Sequence, residues 1–169
     1  MLLIRPAATA DIPAIRELCE PLVSSRVLLG KELVALYESV QEFVVAEEAG
    51  RLVGCGALHV MWQDLAEIRT LAVAESHRRQ GVGAKLLGNL EMRAEKLGIQ
   101  RLFCLTFEVS FFEAHGYQKI SDVPVDADTY AELVRSTDDG VAEFLDLARV
   151  KQNTLGNTRM LKLLSPTLA

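Results

Sequence analysis

Apolar residues at Ile12, Ile15, Leu18, Cys19 and Leu22 recur at three- and four-residue spacing, and Leu33, Leu36, Tyr37 and Val40 resume that spacing after a gap. A period near 3.6 predicts two helices, the first capped by Thr9 or Asp11. The segment SSRVLLGK between them reads as a loop or short turn, and LLIRP, residues 2 to 6, as a strand stopped by Pro6. EFVVAEE and RLVGCGALHV are β-rich runs joined at Ala49-Gly50, which predicts an antiparallel hairpin.

A third central strand is predicted at LAEIRTLAVA, 65 to 74. Strand alternation puts Glu67, Arg69, Leu71 and Val73 on one face and Ala66, Ile68, Thr70 and Ala72 on the other. Two charges on one face of an apolar strand need partners, because an unpaired buried charge is costly. Val82, Leu86, Leu90, Ala94 and Leu97 then mark a helix from 81 to 97, with Gly98 placed to end it. RLFCLTF, 101 to 107, is a buried strand that can run parallel to the strand before the helix through a right-handed crossover. SFFEAHGY predicts a short helix, Tyr117 to Ile120 a strand, 121 to 150 one or two short helices, and TRMLKLL, 158 to 164, the last strand. The order β-α-α-β-β-β-α-β-α-β-(α)-β belongs to a single mixed α/β (α+β) domain over 1–169, with helices on both sides of the sheet.

Composition narrows the chemistry. Half of the 169 residues are apolar and 24% are charged, as in a soluble globular protein. MLLIRPAATADIP carries none of the features of a secretory signal, and no apolar stretch is long enough to span a bilayer, so the expected location is the cytoplasm. Cys19, Cys55 and Cys104 lie in apolar surroundings without C-x-x-C spacing and read as buried thiols, with no metal site expected. A net charge of −5 without a dense basic run argues against nucleic acid as a partner.

RRQGVGA, 78 to 84, follows the strand IRTLAV and opens the long helix. Free backbone N–H groups at the positive end of a helix dipole suit a phosphate, and glycines at 81 and 83 let a ligand approach the backbone. Neither the P-loop spacing nor G-x-G-x-x-G is present, which disfavours nucleotide hydrolysis and ordinary dinucleotide binding.

LAEIRTLAVAESHRRQGVGAKLL resembles the central motif of the Gcn5-related N-acetyltransferase (GNAT) superfamily. The resemblance implies the GNAT fold: a mixed, mostly antiparallel sheet with a splayed parallel strand pair and flanking helices. Acetyl-CoA is the implied co-substrate. Arg78 begins the pyrophosphate turn, and Arg79, Gln80, Gly81, Val82, Gly83 and Ala84 are implied to supply the site. The backbone from Leu71 through Ala72 to Val73 is implied to pair with the pantetheine arm like an added strand. VGCGALH, DLAEIRTLAV, FCLTFEVSFFEAHGY, GVAEFLDLARVKQN and LGNTRMLKLL are similar to the short bacterial N-acetylglutamate synthases that lack an amino-acid-kinase domain. That likeness implies L-glutamate as acceptor, with L-glutamine as an alternative, and no arginine site of the kind the kinase domain carries.

Acetyl transfer needs a neutral amine, a polarised carbonyl and a protonated leaving thiolate. Glu67 matches the general base of some superfamily members, though as a residue on this strand it could equally pair with Arg69. The superfamily likeness makes the Leu71 N–H the oxyanion donor. Where the superfamily often carries a tyrosine acid, this chain has Phe112, and His115 before Gly116 reads as a helix-end residue. Candidates to hold the acceptor's carboxylates are Arg26, Lys31, Arg69, Asn157, Thr158 and Arg159. In the longer synthases the last-strand element is Arg-x-Ser; Gly156 stands at the arginine position here, which shifts that task to Arg159. His59, at a strand end, is a further pocket candidate. Two other readings remain open: transfer to a different amine, and a non-catalytic acyl-CoA sensor. An exposed sheet edge would admit a homodimer.

Overall fold

The computed structural model describes residues 1–153 and 156–164. Its sheet has the order β1-β2-β3-β4-β5-β7-β6, with β1 Leu2–Pro6, β2 Phe43–Glu48, β3 Arg51–Trp62, β4 Leu65–Val73, β5 Arg101–Thr106, β6 Gln118–Lys119 and β7 Thr158–Leu163. The helices are α1 Ile12–Ser24, α2 Leu33–Glu38, α3 Val82–Lys96, α4 Val109–Ala114, α5 Ala127–Leu133 and α6 Asp139–Phe144. β4 and β5 are parallel over Leu65–Glu67 and Arg101–Phe103, whereas β1 with β2, β2 with β3, β5 with β7 and β6 with β7 pair antiparallel. The expected mixed sheet, parallel pair and flanking helices are therefore present. Two compact units contain these elements: Met1–His59 with Ile68–Gly98, and Val60–Glu67 with the chain from Ile99 on.

In the first unit, alternation along β3 separates two packing tasks. Cys55 and Ala57 join Ile12, Ile15, Cys19, Leu36, Phe43, Val45 and Ala72 in one apolar core beneath α1 and α2. Gly54 and Gly56 point the other way, where a Cβ would lie 2.9 Å from Leu86 Cδ1 and 2.9 Å from Leu90 Cδ1 of α3. The missing side chains thus let α3 approach the sheet closely. Arg93 anchors the far end of α3 by donating to the Gln41 and Glu42 carbonyls at 2.6 and 3.2 Å.

Three local expectations change. A 3-10 turn, Thr9–Asp11, precedes α1, and neither residue caps the helix with its side chain. The Asp11 carboxylate turns back instead, accepting from the Ala8 N–H at 2.7 Å and from Arg5 Nη1 and Nη2 at 2.7 and 2.9 Å. Arg5 reaches Glu47 as well, and its bonds hold the Asp11 carboxyl below the usual carboxylate range. Second, β4 is not uniformly extended, because Thr70 has φ +53°. Leu71 lies on the α3 side near Gly56, and Ala72 belongs to the opposite core. Third, the strand after α4 is only the two residues of β6.

The second unit has its own core of Met61, Leu65, Phe103, Leu133, Val141, Phe144 and Leu145. The Phe103 and Phe144 rings meet edge to face with centroids 4.8 Å apart. Asp126 and Asp138 cap α5 and α6, their carboxylates accepting from the Thr129 and Val141 N–H groups at 2.8 Å each. These caps satisfy helix N–H groups that would otherwise lack acceptors.

Candidate active site

The loop between β4 and α3 is held by its own side chains. Gln80 Nε2 donates to the Ser76 carbonyl at 2.8 Å, Ser76 Oγ lies 2.8 Å from His77 Nδ1, and His77 Nε2 lies 3.1 Å from a Glu48 carboxylate oxygen of β2. Arg79 and Gly81 both occupy the left-handed region, at φ +61° and +80°. The backbone turns sharply enough there for α3 to begin at Val82. Its first backbone bond at this end runs from the Lys85 N–H to the Gly81 carbonyl at 3.1 Å, which leaves the Val82, Gly83 and Ala84 N–H groups at the positive pole of a 15-residue helix. Among the described residues, no side chain caps this terminus and nothing lies within 4 Å of a Cβ placed on Gly81. Arg78 and Arg79 are exposed beside it. Such an arrangement accepts a phosphate group through backbone donors, with guanidinium charge nearby. The residues from Arg78 to Ala84, expected to hold a pyrophosphate, form this turn and the start of α3, with the Gln80 side chain spent on holding its shape.

β4 supplies the second element. Glu67 is 5% and Arg69 7% exposed, so both charges are buried within strand positions. Thr70 follows, and a β-branched residue at positive φ is strained by about 1–3 kcal/mol. Its carbonyl accepts from Cys55 Sγ at 3.5 Å. The Leu71–Val73 backbone leads directly from this bend toward the phosphate loop. Glu67 also makes itself felt on β5: burial first, and then the Glu67 charge, pushes the Cys104 thiol well up, as suits a packing residue and not a nucleophile.

The basic candidates separate into two groups. Arg26, at φ +61°, is exposed in the turn after α1, and Lys31 lies in the segment between α1 and α2, its charge acting on Cys19 of α1. Asn157 and Arg159 line a cavity of about 190 Å³ together with Ser121, Asp122 and Asp146. Thr158 begins β7, opposite Thr106 of β5. Arg159 has a structural task there: its Nη1 and Nη2 donate to the Glu143 and Phe144 carbonyls at 3.2 and 2.5 Å, and its guanidinium carbon lies 5.0 Å from the Phe103 ring centroid. Desolvation lowers the Arg159 pKa, opposed by the charges of Asp146, Glu67 and Asp122. Asp122 and Asp146 escaped the sequence reading because single carboxylates in a polar segment carry no spacing signal.

The two histidines of interest are held. His59 Nδ1 lies 2.7 Å from Glu42 Oε1, whose Oε2 is buried without a hydrogen-bond partner. His115 Nδ1 lies 2.7 Å from the Phe111 carbonyl at the end of α4, in keeping with a helix-end role.

The profile of the acetyltransferase (GNAT) family matches residues 15–117. The chain belongs to that family. Among its GNAT relatives, an amino-acid acetyltransferase of Mycobacterium tuberculosis is 51% identical over 164 residues, covering 95% of this chain and 94% of its own length. A solved M. tuberculosis structure in complex with CoA and NLQ superposes with a TM-score of 0.93 at 50% identity, covering 96% of this chain and 99% of that one. The N-acetylglutamate synthase of Neisseria gonorrhoeae, complexed with coenzyme A and N-acetyl-glutamate, gives a TM-score of 0.78 at 27% identity. It covers 98% of this GNAT chain but only 35% of the longer synthase.

Proposed function

We propose that this protein is a single-domain amino-acid N-acetyltransferase that moves the acetyl group of acetyl-CoA to the α-amine of L-glutamate, with L-glutamine as the alternative acceptor, in the first step of arginine biosynthesis in the cytoplasm. The observation that carries the reading is the start of α3 at Gly81 without a side-chain cap, in a chain 51% identical over 164 residues to an amino-acid acetyltransferase. A pyrophosphate needs hydrogen-bond donors and positive charge, and the Val82–Ala84 amides with Arg78 and Arg79 fit it.

Acetyl-CoA would supply a thioester, already activated for attack by an amine. Glu67 is assigned the proton of the incoming ammonium, taken directly or through water. The Leu71 N–H is assigned the negative charge that grows on the thioester oxygen, and the bend at Thr70 sets its direction. Arg26, Lys31 and Arg69 are assigned to the acceptor's carboxylates, with Asn157 and Thr158 from β7. Arg159 contributes by fixing the start of β7 against α6. No tyrosine stands at Phe112 to protonate the thiolate, so water or the released amine proton does so.

Release of CoA measured over a panel of amino acids tests this. Glutamate or glutamine should exceed every other amine; release no greater than with lysine or with no acceptor sinks the substrate assignment. Tight acetyl-CoA binding without product on any amine would favour an acyl-CoA sensor.

A further inference from the structure

Cys19 of α1 and Cys55 of β3 are separated by 36 residues, yet their sulfurs lie 3.8 Å apart inside the first unit's core. Cys55 is fully buried and Cys19 is 7% exposed, so a small oxidant meets Cys19 first. Cys55 does more than fill space, because its thiol donates to the carbonyl of the strained Thr70. Cys19 lies on the helix that leads to Arg26, with Lys31 nearby.

We propose that Cys19 and Cys55 form an intramolecular disulfide on exposure to hydrogen peroxide, and that the bond releases Thr70 and weakens the acetyl-CoA site. The functional half rests on the acetyltransferase reading above. The Cys19 thiolate attacks the peroxide O–O bond, giving a sulfenic acid and, after protonation, water. The Cys55 sulfur then attacks the sulfenic sulfur, loses its proton and expels a second water. Two thiols and one peroxide thus yield one disulfide and two waters. Cys19 is the apt first nucleophile, since it keeps the exposure that Cys55 lacks, and the Cys55 proton is engaged with the Thr70 carbonyl.

Bond formation brings the sulfurs from 3.8 Å to about 2.05 Å. The new bond consumes the proton that Cys55 donates to Thr70, so the carbonyl of a strained residue loses its partner just before Leu71–Val73. Misplacement of this order in a binding or catalytic backbone costs about tenfold to a hundredfold.

Purified protein would be treated with hydrogen peroxide, quenched by alkylation and mapped by mass spectrometry, and its acetyl-CoA affinity measured by calorimetry before and after. The expected result is a Cys19–Cys55 linked peptide with a Kd raised about tenfold, both reversed by dithiothreitol. Cys19→Ala should bind acetyl-CoA normally and resist the loss, whereas Cys104→Ala should remain sensitive. Absence of the linked peptide overturns the proposal, as does a linkage that leaves the Kd unchanged or an equal loss in Cys19→Ala. Reduced protein that binds no acetyl-CoA overturns the acetyltransferase reading and the functional half with it, while the peptide map still decides the covalent half.

Discussion

The guanidinium of Arg159 lies over the ring of Phe103, 5.0 Å from its centroid, while the same group donates to two carbonyls of α6. A side chain so engaged holds the start of β7 to the core of its unit. Its loss removes a charge-assisted pair of hydrogen bonds and a stacking contact, about 2–3 kcal/mol in all.

Arg159→Ala should therefore lower the urea midpoint, at unchanged slope, and lower transfer activity only as far as the fold loosens. Arg159→Lys should recover little, because an ammonium cannot serve both carbonyls and the ring in the same plane. If Arg159→Ala keeps full stability and raises only the KM for glutamate, the residue is a substrate clamp and the structural role fails.

At Gly81 the restriction is conformational. No atom crowds its Cβ position, but φ is +80°. Gly81→Val should place about 1–2 kcal/mol of strain at the first turn of α3 and set a branched side chain across the phosphate approach. We expect the KM for acetyl-CoA to rise about tenfold or more, with a smaller rise in Gly81→Ala and little change in the acceptor KM. Steady-state kinetics with each substrate varied would show it; an unaltered acetyl-CoA KM would remove the loop from the donor site.

How much of this was legible in the sequence follows from what each residue depends on. The β3 alternation of Gly54, Cys55, Gly56 and Ala57 is local, and so is the α3 stripe, so the strands, helices and loop glycines could be read directly. Asp11 could not, because the partner that turns its carboxylate away from α1 is Arg5 of β1, outside the turn that carries Asp11. Thr70 gave no warning either: a β-branched residue at positive φ is held by tertiary contacts, including Cys55. The gathering of Asp122, Asp146 and Arg159 around one cavity joins three separate segments whose spacing has no period.

Glu67 is buried on β4 before the bend, where replacing it by glutamine keeps the shape and removes the charge. Glu67→Gln should lower kcat about a hundredfold while leaving the acetyl-CoA KM nearly unchanged. It should also erase the limb of the pH profile on which kcat rises with deprotonation. A kcat loss with that limb intact would make Glu67 a structural partner of its neighbours.

Asp11 allows a test of stability against pH. Its folded-state pKa is depressed, chiefly by the hydrogen bonds from Arg5, so the folded protein binds this proton less readily than the unfolded chain. The stabilisation is therefore fully present above the ordinary carboxylate pKa and is lost as pH falls through the lower, folded value. Asp11→Asn removes the charge, keeps one acceptor for the Ala8 N–H and leaves Arg5 its ion pair with Glu47. It should cost about 1 kcal/mol at neutral pH. That difference from the parent protein should shrink steadily below about pH 4, because the parent's own carboxylate then takes up its proton. Urea unfolding at pH 7 and at successively lower pH would follow this. A gap that stays constant with pH would mean that Asp11 contributes through packing and neutral hydrogen bonds, with its ion pair to Arg5 adding nothing measurable.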